Sequence, residues 1–350
     1  MDVFQIVKVR NRLQIATGVG IFFLLLAQSV GAQPPKKGRS EQSSLAGFVS
    51  TGSFDEQVLQ ISNQPKDVTI EINAPLQFRK KGKTFLIFYA LPNGNTIEWT
   101  KGKKLTAGVD WHFDIQHIAA QTRFIRSADK KNNYVIVYLM TQQKSWPVWK
   151  KTYPDANRII QQIVDSISSF FQSYHPHIIL NGHSGGGSFI FGYLDAVETI
   201  PSSVDRIAFL DSDYGYETER HQRKLTDWLQ QNRKNNLVVL AYNDSVVIYN
   251  GKPLVSPSGG TWYRSRLLQR DLSQTFSFNS TTDTGFIHHS ALKGRIQIHL
   301  KQNPTGLIYH TVQVEKNGFI YSILSSTKFD RRKYFSYFGE RVYEDYIPAK

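Results

Sequence analysis

The feature that most constrains the fold is a regular alternation of apolar runs and amphipathic segments along most of the chain. The runs Lys83–Leu91 and Asn133–Met140 are nearly continuous in apolar residues, which is typical of strands buried on both faces. The segment Asp155–Tyr174 repeats apolar residues every three or four positions and predicts an amphipathic helix. Alternation of this kind requires crossover connections. It therefore predicts an α/β fold with a mostly parallel central sheet and helices on both faces.

Further elements continue this alternation. Apolar runs predict strands at 67–75, 177–180, 206–210, 236–244 and 294–300, and apolar periodicity predicts helices at 113–127, 188–197, 222–232, 260–272 and 312–324. The segment Val246–Val255 carries Asn250-Gly251 between two apolar arms, which favours a tight hairpin. The polar, histidine-bearing segment Ser277–Lys293 is predicted to be a loop insertion. We expect both additions to lie near the active site, because loops carry specificity in such folds.

The N-terminal segment has the features of a targeting sequence. Lys8, Arg10 and Arg12 precede the uncharged and mostly apolar run Leu13–Ala27, and small residues follow as far as Ala32. A basic start, a short apolar stretch and small residues are typical of a cleaved signal peptide. We therefore expect a signal peptide over residues 1–32 and a secreted or periplasmic protein. An uncleaved N-terminal membrane anchor is the alternative.

The remaining chain is predicted to form one domain. Residues 33–65 are interpreted as a polar linker and N-terminal segment, followed by a single α/β domain over residues 66–345. The chain has no cysteine, so packing rather than a disulfide framework must stabilise this domain. Apolar residues make up 40% of the sequence, which is enough for a sizeable core.

The net charge of +14 restricts the expected partners. A basic surface outside the cell suits an anionic envelope polymer or an acidic substrate, although a solvated basic surface that only keeps the protein soluble is equally compatible. We expect no nucleic acid, because the lysines and arginines are scattered and no nucleic-acid-binding module is recognisable. No His and carboxylate spacing indicates a metal site, and we expect no cofactor.

The stretch "HPHIILNGHSGGGSFIFGYLDAV" places a serine between glycines where a predicted strand gives way to a predicted helix. A serine hydroxyl is a poor nucleophile until a base takes its proton. A sharp strand-to-helix turn exposes the hydroxyl of Ser184 and aims helix N-terminal amides at the reacting centre. The alternative is a glycine-rich turn with a capping serine. His183, beside the nucleophile, is expected to point away and to be structural.

In this context the chain matches the pattern G-x-S-x-G at Gly182, His183, Ser184, Gly185 and Gly186. The sequence therefore resembles the α/β-hydrolase superfamily. It is similar to the esterase- and lipase-like serine hydrolases of this superfamily. We expect it to be an exported bacterial member. The resemblance implies that the acid follows the nucleophile in sequence and that the histidine comes last.

That order implies His310 as the catalytic histidine, because it follows the last predicted strand. His299 lies inside that strand. His288 and His289 precede it in the insertion, where they are expected to line the substrate entrance.

The resemblance places the catalytic acid after a strand that follows the strand-to-helix turn at Ser184. Asp244, at the end of the strand 236–244, is the preferred residue. Asp211 and Asp213, which follow the preceding strand, are the alternatives. A carboxylate in this role orients the imidazole and stabilises its charge.

The resemblance implies an oxyanion hole formed by two hydrogen-bond donors, the second of them by its backbone N–H or its side chain. The amide of Gly185, directly after the nucleophile, is the first. The second should come from the loop after the strand 83–91, where Pro92 has no N–H to donate. Asn93 is therefore the predicted second donor.

The sequence thus predicts an exported serine hydrolase that cleaves an ester or a related acyl bond through an acyl-enzyme. A serine peptidase, and a non-catalytic binding protein that keeps the fold and holds anionic glycan, are the alternatives. Some of the following aromatic residues are expected to line the substrate cleft, with at least half of them packing in the core: Trp99, Trp146, Trp149, Tyr214, Tyr216 and Trp262.

Overall fold

One large sheet organises the described part of the chain. The computed structural model describes residues 45–62 and 65–349, so the predicted signal peptide and residues 33–44, 63 and 64 of the predicted linker and N-terminal segment lie outside the described residues. Within those ranges, no helix has both the length and the apolar character needed to cross a bilayer.

The strands are β1 (Val49–Ser50), β2 (Glu56–Ile61), β3 (Val68–Pro75), β4 (Thr84–Ala90), β5 (Asn133–Thr141), β6 (His177–His183), β7 (Val204–Leu210), β8 (Asn236–Tyr242), β9 (Ile248–Tyr249), β10 (Lys252–Pro253), β11 (Asn279–Thr282), β12 (Phe286–Ala291) and β13 (Ile296–Lys301). The α-helices are α1 (Ile97–Lys101), α2 (Ile118–Ala128), α3 (Trp146–Thr152), α4 (Ala156–Phe170), α5 (Gly187–Ala196), α6 (Thr218–Gln231), α7 (Gly260–Leu272), α8 (Val312–Glu315), α9 (Gly318–Leu324) and α10 (Lys328–Arg331).

The sheet has the strand order β1-β2-β3-β5-β4-β6-β7-β8-β13-β12-β11. The six strands from β5 to β13 in this order pair in parallel. The strands at both ends of the sheet pair antiparallel. The predicted mostly parallel central sheet is therefore confirmed.

Two hydrophobic cores lie on opposite faces of this sheet. Along β4, Leu86 and Phe88 pack into one core, whereas Ile87 and Tyr89 pack into the other. Successive strand side chains point to opposite faces, so both faces must be covered. Helices α4, α5, α6 and α7 contribute to the first core, and α2 and α9 contribute to the second. The predicted placement of helices on both faces is confirmed.

Several elements differ from the sequence-based expectation. Strand β2 lies N-terminal to the domain boundary predicted at residue 66, yet it pairs with β3. The insertion 277–293 forms β11 and β12, which extend the sheet at its edge instead of forming a loop. The helix predicted over 312–324 is two helices, because Asn317 between them has a φ of +63°. Helix α3 lies in a segment for which no helix was predicted.

The hairpin between β9 and β10 has the turn that its sequence predicted. Asn250 has a φ of +51° and Gly251 has a φ of +74°. Positive φ at both central residues is the requirement of the tight hairpin turn that Asn-Gly favours.

Candidate active site

Ser184 lies in a single 3₁₀ turn between β6 and α5, with a φ of +53°. Glycines on both sides allow this turn to pack closely. A Cβ at Gly186 would lie 2.1 Å from the carbonyl oxygen of Ala90, and one at Gly185 would lie 2.0 Å from Oδ1 of Asn93. These distances are too short for any side chain, so the glycines bring the turn against the end of β4 and the loop that follows it.

His310 lies in the loop before α8 and forms a hydrogen bond with Asp211. Its Nδ1 contacts Oδ2 of Asp211, whose side chain is fully buried. A carboxylate accepts, so Nδ1 carries the proton and Nε2 keeps a free lone pair. Ser184 and His310 line the same cavity. Within the described residues the Ser184 hydroxyl has no hydrogen-bond partner, which leaves it available to His310.

Asp244, the preferred acid in the sequence analysis, has a different partner. Its carboxylate accepts hydrogen bonds from the backbone N–H of Thr261 at 2.8 Å and of Trp262 at 3.3 Å, at the N-terminus of α7. A negative charge is favoured at a helix N-terminus. Gly260 makes this contact possible, because a Cβ there would lie 2.5 Å from Oδ2 of Asp244. The carboxylate that meets His310 is thus Asp211, which had been the alternative.

Thr261 connects the two carboxylates. Its hydroxyl donates a hydrogen bond to Oδ1 of Asp211, and its backbone N–H donates to Asp244. The remaining oxygen of Asp211 therefore faces His310. Thr261 was not identified from the sequence, although its position after Gly259-Gly260 at the start of a predicted helix was an available signal.

Asp213, the other alternative acid, is also buried and accepts a hydrogen bond from Ser265 at 2.7 Å. Burial, with a smaller contribution from the charge of Asp211, raises the pKa of Asp213 to about 8. The same two causes raise the pKa of Asp244 to about 6, against the hydrogen bonds from the α7 amides. At neutral pH Asp213 is therefore protonated, and its neutral carboxyl group does not compete for the imidazole.

His183 supports the loop that carries His310. Its Nε2 lies 3.1 Å from the backbone oxygen of His310, and the two rings lie 4.6 Å apart between centroids. Burial lowers the pKa of His183 well below its usual range, so the ring is neutral and donates from Nε2. The sequence predicts a structural residue that points away from Ser184, and in the structure His183 contacts the backbone of the loop that carries His310.

Gly185 and Asn93, the predicted oxyanion-hole residues, lie beside each other. Both line the cavity together with Ser184. The Asn93 side chain lies directly over Gly185, as the 2.0 Å distance to a Cβ there shows. Within the described residues, the backbone N–H of Asn93 has no hydrogen-bond partner. The structure therefore brings together Ser184, His310 and two potential hydrogen-bond donors at one cavity.

The cavity at Ser184 has a volume of about 640 Å³. Leu254 and Val255, which follow β10, and Ile308 form an apolar part of its wall. The hairpin insertion thus reaches the site. The second insertion does not contribute to this cavity within the described residues. His289 lines a separate cavity beside α7, and His288 forms a hydrogen bond with His299.

The six aromatic residues proposed from the sequence also fall into two groups, one at the cavity beside Ser184 and one elsewhere. Tyr214 lines the cavity at Ser184. The others lie elsewhere: Trp146, Trp149 and Tyr216 in the core, Trp262 beside the second cavity, and Trp99 stacked on His112.

Comparison with known proteins finds similar solved structures, but no family that this sequence matches. No family model matches the sequence, and no curated protein matches it. Similar solved structures include a mutant feruloyl esterase module from Clostridium thermocellum complexed with sinapinate (12% identity, 81% of this chain and 94% of that chain, TM-score 0.45). They also include poly(aspartic acid) hydrolase-1 from Sphingomonas sp. KT-1 (11% identity, 75% of this chain and 98% of that chain, TM-score 0.42).

Proposed function

We propose that this chain, with its mostly parallel central sheet, is a serine hydrolase of the α/β-hydrolase type that cleaves an ester or a related acyl bond. The observation that carries the proposal is the convergence of Ser184 and the His310–Asp211 pair on one cavity. Three residues from distant parts of the sequence meet there, and each comes from a turn or loop directly after a strand or before a helix.

The first step uses the free lone pair on His310 Nε2. This nitrogen takes the proton of the Ser184 hydroxyl while Oγ attacks the carbonyl carbon of the substrate. The C–O bond to the leaving alcohol then breaks, and His310 returns the proton to that alcohol. Water repeats the sequence on the acyl-enzyme and releases the acid.

Asp211 takes the place of the acid in this proposal, in preference to Asp244. It holds the proton of His310 on Nδ1, and its negative charge stabilises the imidazolium that forms during the reaction. The amides at Gly185 and Asn93 take the developing oxyanion, since preorganised donors stabilise that charge without reorganisation.

An ester ranks above a peptide in this proposal. The cavity is bounded in part by the apolar side chains of Leu254, Val255 and Ile308. The alternative is a non-catalytic binding protein. It is disfavoured by the arrangement at the cavity, where Ser184 and His310 line one wall and the imidazole of His310 contacts Asp211.

The test is labelling of the protein from Gln33 onward with a fluorophosphonate probe, which reacts with activated serines. Wild type should be labelled, and both Ser184→Ala and His310→Ala should lose labelling. Asp211→Asn should reduce ester hydrolysis by roughly 10⁴-fold in kcat, as expected when the tautomer is no longer held.

Asp244→Asn is the matched control for the acid. It should keep most of the activity, because Asp244 contacts α7 and not His310. A larger loss in Asp244→Asn than in Asp211→Asn would contradict the assignment of the acid. Absence of labelling in the folded wild type would instead favour the binding protein.

A further inference from the structure

The cavity extends from Ser184 along one face of α5 to a group of charged side chains. Ser188, Phe191 and Asp195 line it at spacings of three and four residues, which places them on one helix face. A rise of 1.5 Å per residue puts Asp195 roughly 10 Å beyond Ser188. The charged end is therefore well separated from the reacting atoms.

Four charged residues line this far end: Lys150, Asp195, Glu217 and Arg220. Arg220 is already paired, because its guanidinium lies 2.6 Å from Oδ2 of Asp195 and 3.5 Å from Oε2 of Glu217. Its charge is largely compensated within the protein.

Asp195 is saturated as well. The backbone N–H of Glu217 donates to Nδ1 of the buried His221 at 2.9 Å, so Nδ1 is an acceptor and Nε2 carries a proton. That proton is donated to Oδ1 of Asp195 at 3.1 Å. Burial raises the pKa of Asp195, but the hydrogen bond from His221 and the nearby cations outweigh it and keep the pKa low. Asp195 is thus ionised and has both oxygens occupied.

Lys150 is the member of the group that lacks a close partner. Its Nζ lies 3.9 Å from Oδ2 of Asp195, and it makes no hydrogen bond within the described residues. The side chain is only 22% exposed. An ammonium group has three N–H donors, and here they are partly removed from water without an acceptor. Burial lowers the pKa of Lys150, consistent with this incomplete compensation.

We propose that Lys150 anchors a carboxylate of the substrate at the far end of the cavity, so that the enzyme prefers long esters carrying a distal negative charge. The inference rests on the proposed function of Ser184 and adds the substrate class. An anion is favoured over a neutral acceptor because it completes the pairing of a half-desolvated cation, and charge-assisted hydrogen bonds are the stronger ones.

The test compares two matched series of esters. One series consists of mono-p-nitrophenyl esters of linear dicarboxylic acids from succinate to sebacate, and its neutral counterparts are esters of monocarboxylic acids of equal length. A second series places the carboxylate on the alcohol side, as butyrate esters of ω-hydroxy acids. Wild type should prefer the charged member in one series, with the preference growing toward the longer chains.

Lys150→Glu should lower the ratio of kcat/KM for charged over neutral esters by roughly tenfold or more. Lys150→Met, which keeps the length of the side chain, should lower the ratio less. Lys151→Glu is the control, because this exposed neighbour on α3 undergoes the same change in net charge outside the cavity. It should keep the wild-type ratio.

Three results would overturn the inference: no preference in either series, an equal loss of preference in Lys151→Glu, or an unchanged ratio in Lys150→Glu. Fluorophosphonate labelling of the wild type separates these failures from failure of the proposed function. A labelled enzyme without charge preference refutes only the anchor. An unlabelled folded protein refutes the hydrolase itself.

Discussion

The substitution Asp213→Asn tests the charge distribution around the proposed catalytic acid. The pKa of Asp213 is raised to about 8 in the folded chain, against 3.8 for an ordinary aspartate. Between these pH values the folded state holds a proton that the unfolded state has released. Unfolding therefore becomes more favourable by about 1.4 kcal/mol per pH unit from this group alone.

The sign follows from the direction of the shift. Asp213 contributes its full stability below pH 4, and this contribution is lost as the pH rises toward 8. Asparagine carries no titrating proton. The free energy of unfolding of wild type, relative to Asp213→Asn, should therefore fall by about 3 kcal/mol between pH 5 and pH 7.

The measurement is urea unfolding of both proteins at pH 5, 6 and 7, with the difference taken at each pH so that all other titrations cancel. Asp227→Asn is the control for removing an aspartate at the surface, because its side chain is 62% exposed on α6. A flat difference for Asp213→Asn would mean that Asp213 is ionised in the folded chain. It would refute the view that a single charge faces His310.

Three further outcomes are expected. Gly186→Ala should abolish ester hydrolysis and destabilise the fold, because its Cβ would lie 2.1 Å from the backbone oxygen of Ala90. Gly285→Ala is the control and should be tolerated, because the nearest contact of its Cβ would be 3.7 Å away. Equal melting temperatures of the two variants would contradict this expectation. Asn93→Ala should lower kcat by about a hundredfold with little change in KM if the side chain donates to the oxyanion, whereas an unchanged kcat would leave the backbone N–H as the donor. The exported protein should begin at Gln33 on N-terminal sequencing, and a start at Met1 would favour the uncleaved anchor.

The turn at Ser184 could be predicted from the sequence because its requirements are local. Glycines around Ser184 between an apolar run and a helical segment are readable without any tertiary information. His310 could be placed by order along the chain, after the last strand. The mostly parallel sheet was predictable for a similar reason, since long apolar runs report burial on both faces.

The acid could not be chosen from the sequence, because Asp211 and Asp244 both follow neighbouring parallel strands. Such strand ends meet at the same edge of the sheet, so both carboxylates lie close to the histidine loop. The choice depends on α7, whose N-terminal amides hold Asp244, and on Gly260, which lets the carboxylate approach them. The contact between Asp244 and the start of α7 is a tertiary contact, and no periodic pattern in the sequence indicates it.

The charged end of the cavity was missed for a related reason. Lys150 lies on α3, a helix of seven residues that is too short for apolar periodicity to reveal. The neighbouring Asp195 lies near the end of a helix that was predicted, but nothing in the sequence indicates that this end faces the cavity. Only the packing of α3 against α5 brings the two together.

The three aspartates at this sheet edge show how one site separates like charges. Two carboxyl groups that share an environment with little water disfavour each other's ionisation. At most one of them is therefore stable in its ionised form unless hydrogen bonds stabilise the second charge. Asp244 obtains that support from helix amides, and Asp213 remains protonated. Asp211 is then the carboxylate whose free oxygen and charge are directed at His310. The pairing of Asp211 with His310 is therefore accompanied by two acids, Asp244 and Asp213, whose own partners keep them away from the imidazole.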